Sequence, residues 1–94
     1  MPSSPLSSPE VVSRLESLHT WRLKHGEIVR TFTFHDFPAS LAFVNRVGGL
    51  AEAAGHHPDI DIRYNKVRLA LVSHDAGGLT AKDFDLAGQI DKLG

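Results

Sequence analysis

At 94 residues, with 41% hydrophobic and 22% charged residues, the chain is sized for one globular domain with a single modest core, and its composition fits neither a disordered nor a membrane class. Ten basic and 11 acidic side chains leave a formal charge of -1 spread along the sequence, which gives neither a basic stripe for direct nucleic-acid binding nor an acidic solvating tail. The absence of cysteine rules out a disulfide framework and thiolate zinc sites, and fits a reducing compartment.

The opening MPSSPLSSPE has neither a basic n-region nor an apolar h-region, and no apolar run elsewhere approaches the roughly 20 residues that span a bilayer. Residues 1–8 therefore read as a frayed lead-in and residues 9–94 as one domain of a soluble, cytoplasmic protein. Ser7 and Ser8 followed by Pro9 and Glu10 signal a helix start, and the spacing of Val11, Leu15 and Leu18 predicts a helix over about 9–18. After a short polar stretch bending near Gly26, Ile28, Arg30, Phe32 and Phe34 alternate with Val29, Thr31 and Thr33, which predicts a strand in an antiparallel pair. Asp36 and Pro38 open a second helix to about Ala54, with Leu41, Val44, Gly48 and Ala51 spaced for one face; Gly48 and Gly49 read as close packing on the sheet.

Two more half-buried strands follow, Ile60, Ile62 and Tyr64 alternating with charged residues, then Val67, Leu69 and Leu71. A two-residue turn at Asn65-Lys66 would set Tyr64 opposite Val67 and Ile62 opposite Leu69. Carried outward, that register places His57 opposite His74. Gly77 and Gly78 end the strand, and Thr80 caps a last helix with Asp83 in its first turn and Phe84, Ala87 and Ile90 at helical spacing. The expected fold is α+β, a two-layer sandwich with a four-stranded antiparallel sheet and three helices on one face, ordered α-β-β-α-β-β-α. Apolar side chains left on the open face would favour oligomerisation.

The chemistry concentrates between Glu52 and Asp83. His56, His57 and His74 read in three ways: a polar turn with a surface histidine, a metal site, or a metal-free acid/base pair in which Glu52 or Asp75 orients an imidazole. Adjacent histidines on an extended backbone cannot easily aim both rings at one ion, and no HExxH spacing occurs, so metal binding is disfavoured. Three histidines, a register that joins two of them, and Glu52 one turn before His56 favour proton transfer.

The string Glu52-Ala-Ala-Gly-His56-His57-Pro58, then five residues to Tyr64, nine to His74 and eight to Asp83, resembles the signature of the pterin-4a-carbinolamine dehydratases. The likeness continues through Trp21, Phe32 and Phe34, Arg46-Val47, Tyr64-Asn65-Lys66-Val67 and Gly78-Leu79. It implies a small α+β subunit that forms a homodimer or homotetramer. It also implies dehydration of 4a-hydroxytetrahydrobiopterin, or a related 4a-hydroxypterin, to the quinonoid dihydropterin, which recycles the cofactor of aromatic amino-acid hydroxylases. Pterin is then the substrate, and neither metal nor redox cofactor is needed. By position His56 and His74 form the acid/base pair, and His57 shapes the pocket. Glu52 binds the pterin or orients His56, Pro58 stiffens the backbone, and Ser73 is a further pterin contact. Asp83 belongs to the same signature as a substrate-site residue, although capping also explains it. Trp21 reads as core. The competing function is a non-catalytic dimerisation or assembly module that binds another protein, with no direct nucleic-acid or membrane contact.

Overall fold

The computed structural model describes residues 4–93, so the reading of residues 1–3 as part of a lead-in lies outside them. In chain order the elements are α1 (Ser8–Ser17), β1 (Arg22–Lys24), β2 (Glu27–Thr33), α2 (Phe37–Ala54), β3 (Asp59–Arg63), β4 (Lys66–Leu71), a 3-10 turn (His74–Ala76) and α3 (Ala81–Asp91). The α-β-β-α-β-β-α order is the expected one. The strands form a single antiparallel sheet ordered β1-β2-β4-β3, so β3 crosses over to the edge and β4 returns between it and β2.

The capping residues set the start of α1. Ser7 Oγ accepts the Glu10 amide at 3.4 Å and Glu10 Oε1 accepts the Ser7 amide at 3.0 Å, a reciprocal box with Pro9 in the first turn. The bond from the Ser7 amide, and then that from its hydroxyl, hold the Glu10 carboxyl below its usual pKa. A carboxylate lowered in the folded state stabilises above its unfolded pKa, and that contribution is lost as pH falls through the folded one. An NMR titration of Glu10 is expected to show the depressed midpoint, with a smaller depression in Ser7→Ala, which keeps the amide but not the hydroxyl. Upstream, the Leu6 amide donates to the Leu79 carbonyl at 2.7 Å, and Leu6 packs against the core.

The core lies between the helices and one face of the sheet. Ile28 and Phe32 of β2 and Val67, Leu69 and Leu71 of β4 meet Phe43, Val47 and Ala51 of α2 and Phe84, Ala87 and Ile90 of α3. Each of the larger of these side chains, once buried, contributes on the order of 1.5–3 kcal/mol. Trp21 is core as expected: its ring stands edge-on to Phe32 at 6.3 Å, and its Nε1 donates to Asp91 Oδ1 at 2.8 Å. Arg30 is the one charged residue of β2 on this inner face. Its guanidinium lies 4.1 Å from the Phe32 ring centre and binds the same Asp91 oxygen at 2.6 Å.

Two expectations of phase are corrected. The buried face of α2 runs through Ser40, Phe43, Val47 and Ala51, whereas Leu41 is 40% exposed and Gly48 lies on the surface. Apolar residues ring this helix nearly all the way round, so periodicity alone admits either phase. A Cβ at Gly48 or Gly49 would meet nothing within 4 Å, so neither glycine serves close packing on the sheet. Gly48→Ala is expected to stabilise the fold by about 1 kcal/mol, read as a higher melting temperature.

The β3-β4 turn is Tyr64-Asn65, not Asn65-Lys66, and the paired residues are Arg63↔Lys66, Ile62↔Val67 and Ile60↔Leu69. Asn65 fixes this choice, because its Nδ2 donates to the Phe34 carbonyl at 2.9 Å while its own carbonyl accepts the Phe34 amide at 2.8 Å. Tyr64 therefore leaves the strand, takes a positive φ of 52° and stands 64% exposed instead of on the apolar face. The corrected register would bring His57 beside Val72 and not His74, and β4 ends at Leu71 before His74 is reached. No helix among the described residues is long and apolar enough to cross a membrane.

Candidate active site

Local backbone chemistry presents His56 at the end of α2. Gly55 takes a left-handed conformation (φ 63°), its amide donates to the Glu52 carbonyl at 3.3 Å, and the His56 amide donates to the Ala51 carbonyl at 3.1 Å. This is a Schellman ending, which turns the chain sharply and aims His56 back across the helix end. Pro58 then cannot continue a helix, and β3 begins at Asp59.

From that position the His56 ring reaches α3. Its Nε2 lies 2.5 Å from Asp83 Oδ1; the imidazole is 13% exposed and the Asp83 side chain fully buried. The second oxygen, Oδ2, accepts the Thr80 amide and the Ser73 hydroxyl, both at 2.9 Å. Because Ser73 spends its proton on Asp83, the Thr80 hydroxyl donates in turn to Ser73 Oγ at 2.8 Å. Every polar atom in this buried cluster is thus paired. A carboxylate only accepts, so His56 carries its proton on Nε2 and turns Nδ1 toward solvent, the arrangement in which an acid orients a catalytic imidazole.

Ser73 also anchors the segment that bears His74. It forms an isolated bridge with Gly78, and its carbonyl accepts the Ala76 amide at 3.1 Å, closing the turn on which His74 is the first residue. Asp83 consequently joins three separate parts of the chain: the end of α2, the turn after β4 and the start of α3. His57 lies apart from this cluster, its Nε2 2.7 Å from Glu52 Oε2 in an exposed pair. Glu52 therefore orients His57, and His56 takes its orientation from Asp83. Among the described residues no three His, Cys, Asp or Glu side chains are disposed to hold a metal ion.

The structure thus links His56, Ser73 and Asp83 directly, sets His74 next to Ser73, and pairs His57 with Glu52. Sequence reasoning missed the Gly55 turn, whose signal was a glycine between a helix and His-His-Pro. It also missed the bond between the Thr80 and Ser73 hydroxyls, although the Thr80 amide bond to Asp83 belongs to the cap that the sequence signals.

With this geometry in hand, the model of the family described as pterin 4 alpha carbinolamine dehydratase matches residues 4–93. The chain belongs to that family. A relative from Chloroflexus aurantiacus, provisionally named a pterin-4-alpha-carbinolamine dehydratase, is 61% identical over 94% of this chain and 95% of its own. One of the same provisional name from Acidobacterium capsulatum is 60% identical over 94% and 96%. The crystal structure of a transcriptional coactivator/pterin dehydratase from Brucella melitensis superposes with a TM-score of 0.91 at 28% identity, covering 96% of this chain and 98% of that one. A pterin dehydratase-like RuBisCO assembly factor of the alpha-carboxysome shares the fold, with a TM-score of 0.67 at 24% identity over 80% and 89%. Membership in this dehydratase family agrees with the resemblance carried by Glu52, His56, His57, Pro58, Tyr64, His74 and Asp83.

Proposed function

We propose that this protein is a hydro-lyase that removes water from a 4a-hydroxytetrahydropterin such as 4a-hydroxytetrahydrobiopterin. The observation that carries this reading is the buried Asp83 carboxylate holding His56 by Nε2 while Ser73 ties the His74 turn to the same carboxylate. His56 Nδ1 takes the proton from N5, and Asp83 stabilises the imidazolium that forms. The freed electron pair makes the N5-C4a double bond as the C4a-O bond breaks, and His74 protonates the departing hydroxide to water. Oxidation states do not change in this elimination, so it needs no redox cofactor. Exchange with solvent returns the proton from His56 to His74.

His57, held by Glu52, contacts the pterin, with Pro58 stiffening the backbone that follows it. Ser73 acts through the His74 turn, since its hydroxyl is committed within the protein. The same reading includes a cytoplasmic homodimer or homotetramer that recycles pterin. Two surfaces support association: β3 is a sheet edge with Ile60 39% exposed, and Leu41 lies bare on α2.

Purified protein is expected to accelerate conversion of the 4a-hydroxypterin to the quinonoid product, followed by absorbance. A rate equal to the spontaneous one overturns the proposal. If that null rate came with stoichiometric capture of one protein partner, the assembly-module reading would replace it.

A further inference from the structure

His74 borders a cleft of about 370 Å3 whose far wall comes from the β1-β2 hairpin: His25, Gly26 and Glu27 line it with Val72, Gly77 and Gly78. Three observations set this hairpin beside the site. Lys24 and Glu27 are the last paired residues, so His25 and Gly26 form a two-residue loop, and both have positive φ, 52° and 80°. Asn or Gly would take the first of these positions at less steric cost than histidine. Glu27 is half-buried, and none of the side-chain hydrogen bonds or ion pairs among the described residues involves Glu27 or His25.

The register supplies the third observation. Ile28 pairs with Leu71 and Asp59 with Ala70, so the β2-β4 ladder carried one step further would set Glu27 beside Val72, and the β3-β4 ladder carried two steps further would set His57 on its other side, on the sheet face away from the helices. At about 4.8 Å per strand, that register would set Glu27 and His57 roughly 10 Å apart across Val72. His74 follows on the same stretch of chain. The cleft thus runs from His74 to a carboxylate that has no side-chain partner among the described residues.

Building on the proposed dehydratase reading, we infer that Glu27 is a specificity residue that binds the pyrimidine edge of the pterin. That edge carries N3-H and the 2-amino group, two parallel donors, and a carboxylate accepts both at once in a two-pronged pair. The reacting C4a and N5 lie across the bicycle from this edge, so a ring with C4a at His74 extends its donors toward Glu27. His25 places its planar ring at the rim of the same cleft.

The test measures binding of a 7,8-dihydropterin, which lacks the 4a-hydroxyl and does not react, and of the matching dihydrolumazine, whose 2-amino group is replaced by a carbonyl. Wild type is expected to prefer the pterin about tenfold, and Glu27→Gln to weaken pterin binding by about that factor and narrow the preference to within about twofold. KM for the 4a-hydroxypterin should rise alongside, with an unchanged circular dichroism spectrum as the folding control. An equal preference in wild type and Glu27→Gln overturns the role of Glu27 while leaving the dehydratase reading standing. A wild type that binds no pterin and dehydrates nothing overturns both.

Discussion

His74→Ala is expected to lose about 10²- to 10⁴-fold in dehydration rate while melting at the wild-type temperature. His74 is exposed, opens a 3-10 turn, and its side chain takes no part in the hydrogen-bonded cluster around Asp83, so removing it deletes chemistry without deleting support. His56→Ala should lose a rate of the same order but with a stability cost, because Asp83 Oδ1 is then a fully buried carboxylate oxygen without its donor. Rates must therefore be compared per folded molecule, with melting curves run beside the assays. If both variants turn over at the wild-type rate, the acid/base assignment is wrong. If only His56→Ala is impaired, and in proportion to its unfolded fraction, His56 is a structural residue.

Asp83→Ala is expected to be the most damaging single substitution of the site. Three donors converge on this side chain, His56 Nε2, Ser73 Oγ and the Thr80 amide, and its replacement leaves all three in a buried pocket. Breaking a buried charged pair costs about 3–5 kcal/mol, and in a domain of this size each kcal/mol lowers the melting temperature by roughly 4–8 °C. A fall on the order of 15 °C or more is the expected reading by circular dichroism. Asp83→Asn separates support from chemistry. It fills the same volume and keeps one oxygen as acceptor, so it should melt closer to wild type. The rate should still fall, because the amide places no negative charge beside His56. A near-wild-type rate for Asp83→Asn would show that the charge has no part in the reaction.

Much of this was legible in the sequence where the cause is local. Ser7, Pro9 and Glu10 specify the start of α1 without reference to the rest of the chain, and Thr80 and Asp83 do the same for α3. Alternation in β2 gave its inner face correctly, with Ile28, Arg30 and Phe32 turned to the helices. Register was harder to read. Either dipeptide containing Asn65 makes an acceptable turn, and the choice depends on bonds from Asn65 to Phe34, 31 residues away. Moving the turn by one residue shifts every pair by two, so the apolar face survives while Tyr64 leaves the strand and the expected meeting of His57 with His74 disappears. The signature residues could be located, but their partners could not. Glu52 stands one turn from His56 in sequence, yet the Gly55 turn swings His56 toward α3 and leaves Glu52 to His57.

Helix α3 is fastened at both ends by acidic side chains: Asp83 holds His56 and Ser73 at one end, and Asp91 holds Trp21 and Arg30 at the other, roughly 12 Å along the helix. The helix therefore works as a bolt between the sheet core and the turn that bears His74. On the proposed dehydratase reading, its seating against Trp21 should set whether His56 and His74 stay aligned. Heat inactivation and loss of tertiary structure should then occur together, with no warm state that is folded but inactive. Clipping the chain just before Asp91 should abolish the proposed dehydration even though the cut falls about two helical turns from the nearest histidine contact.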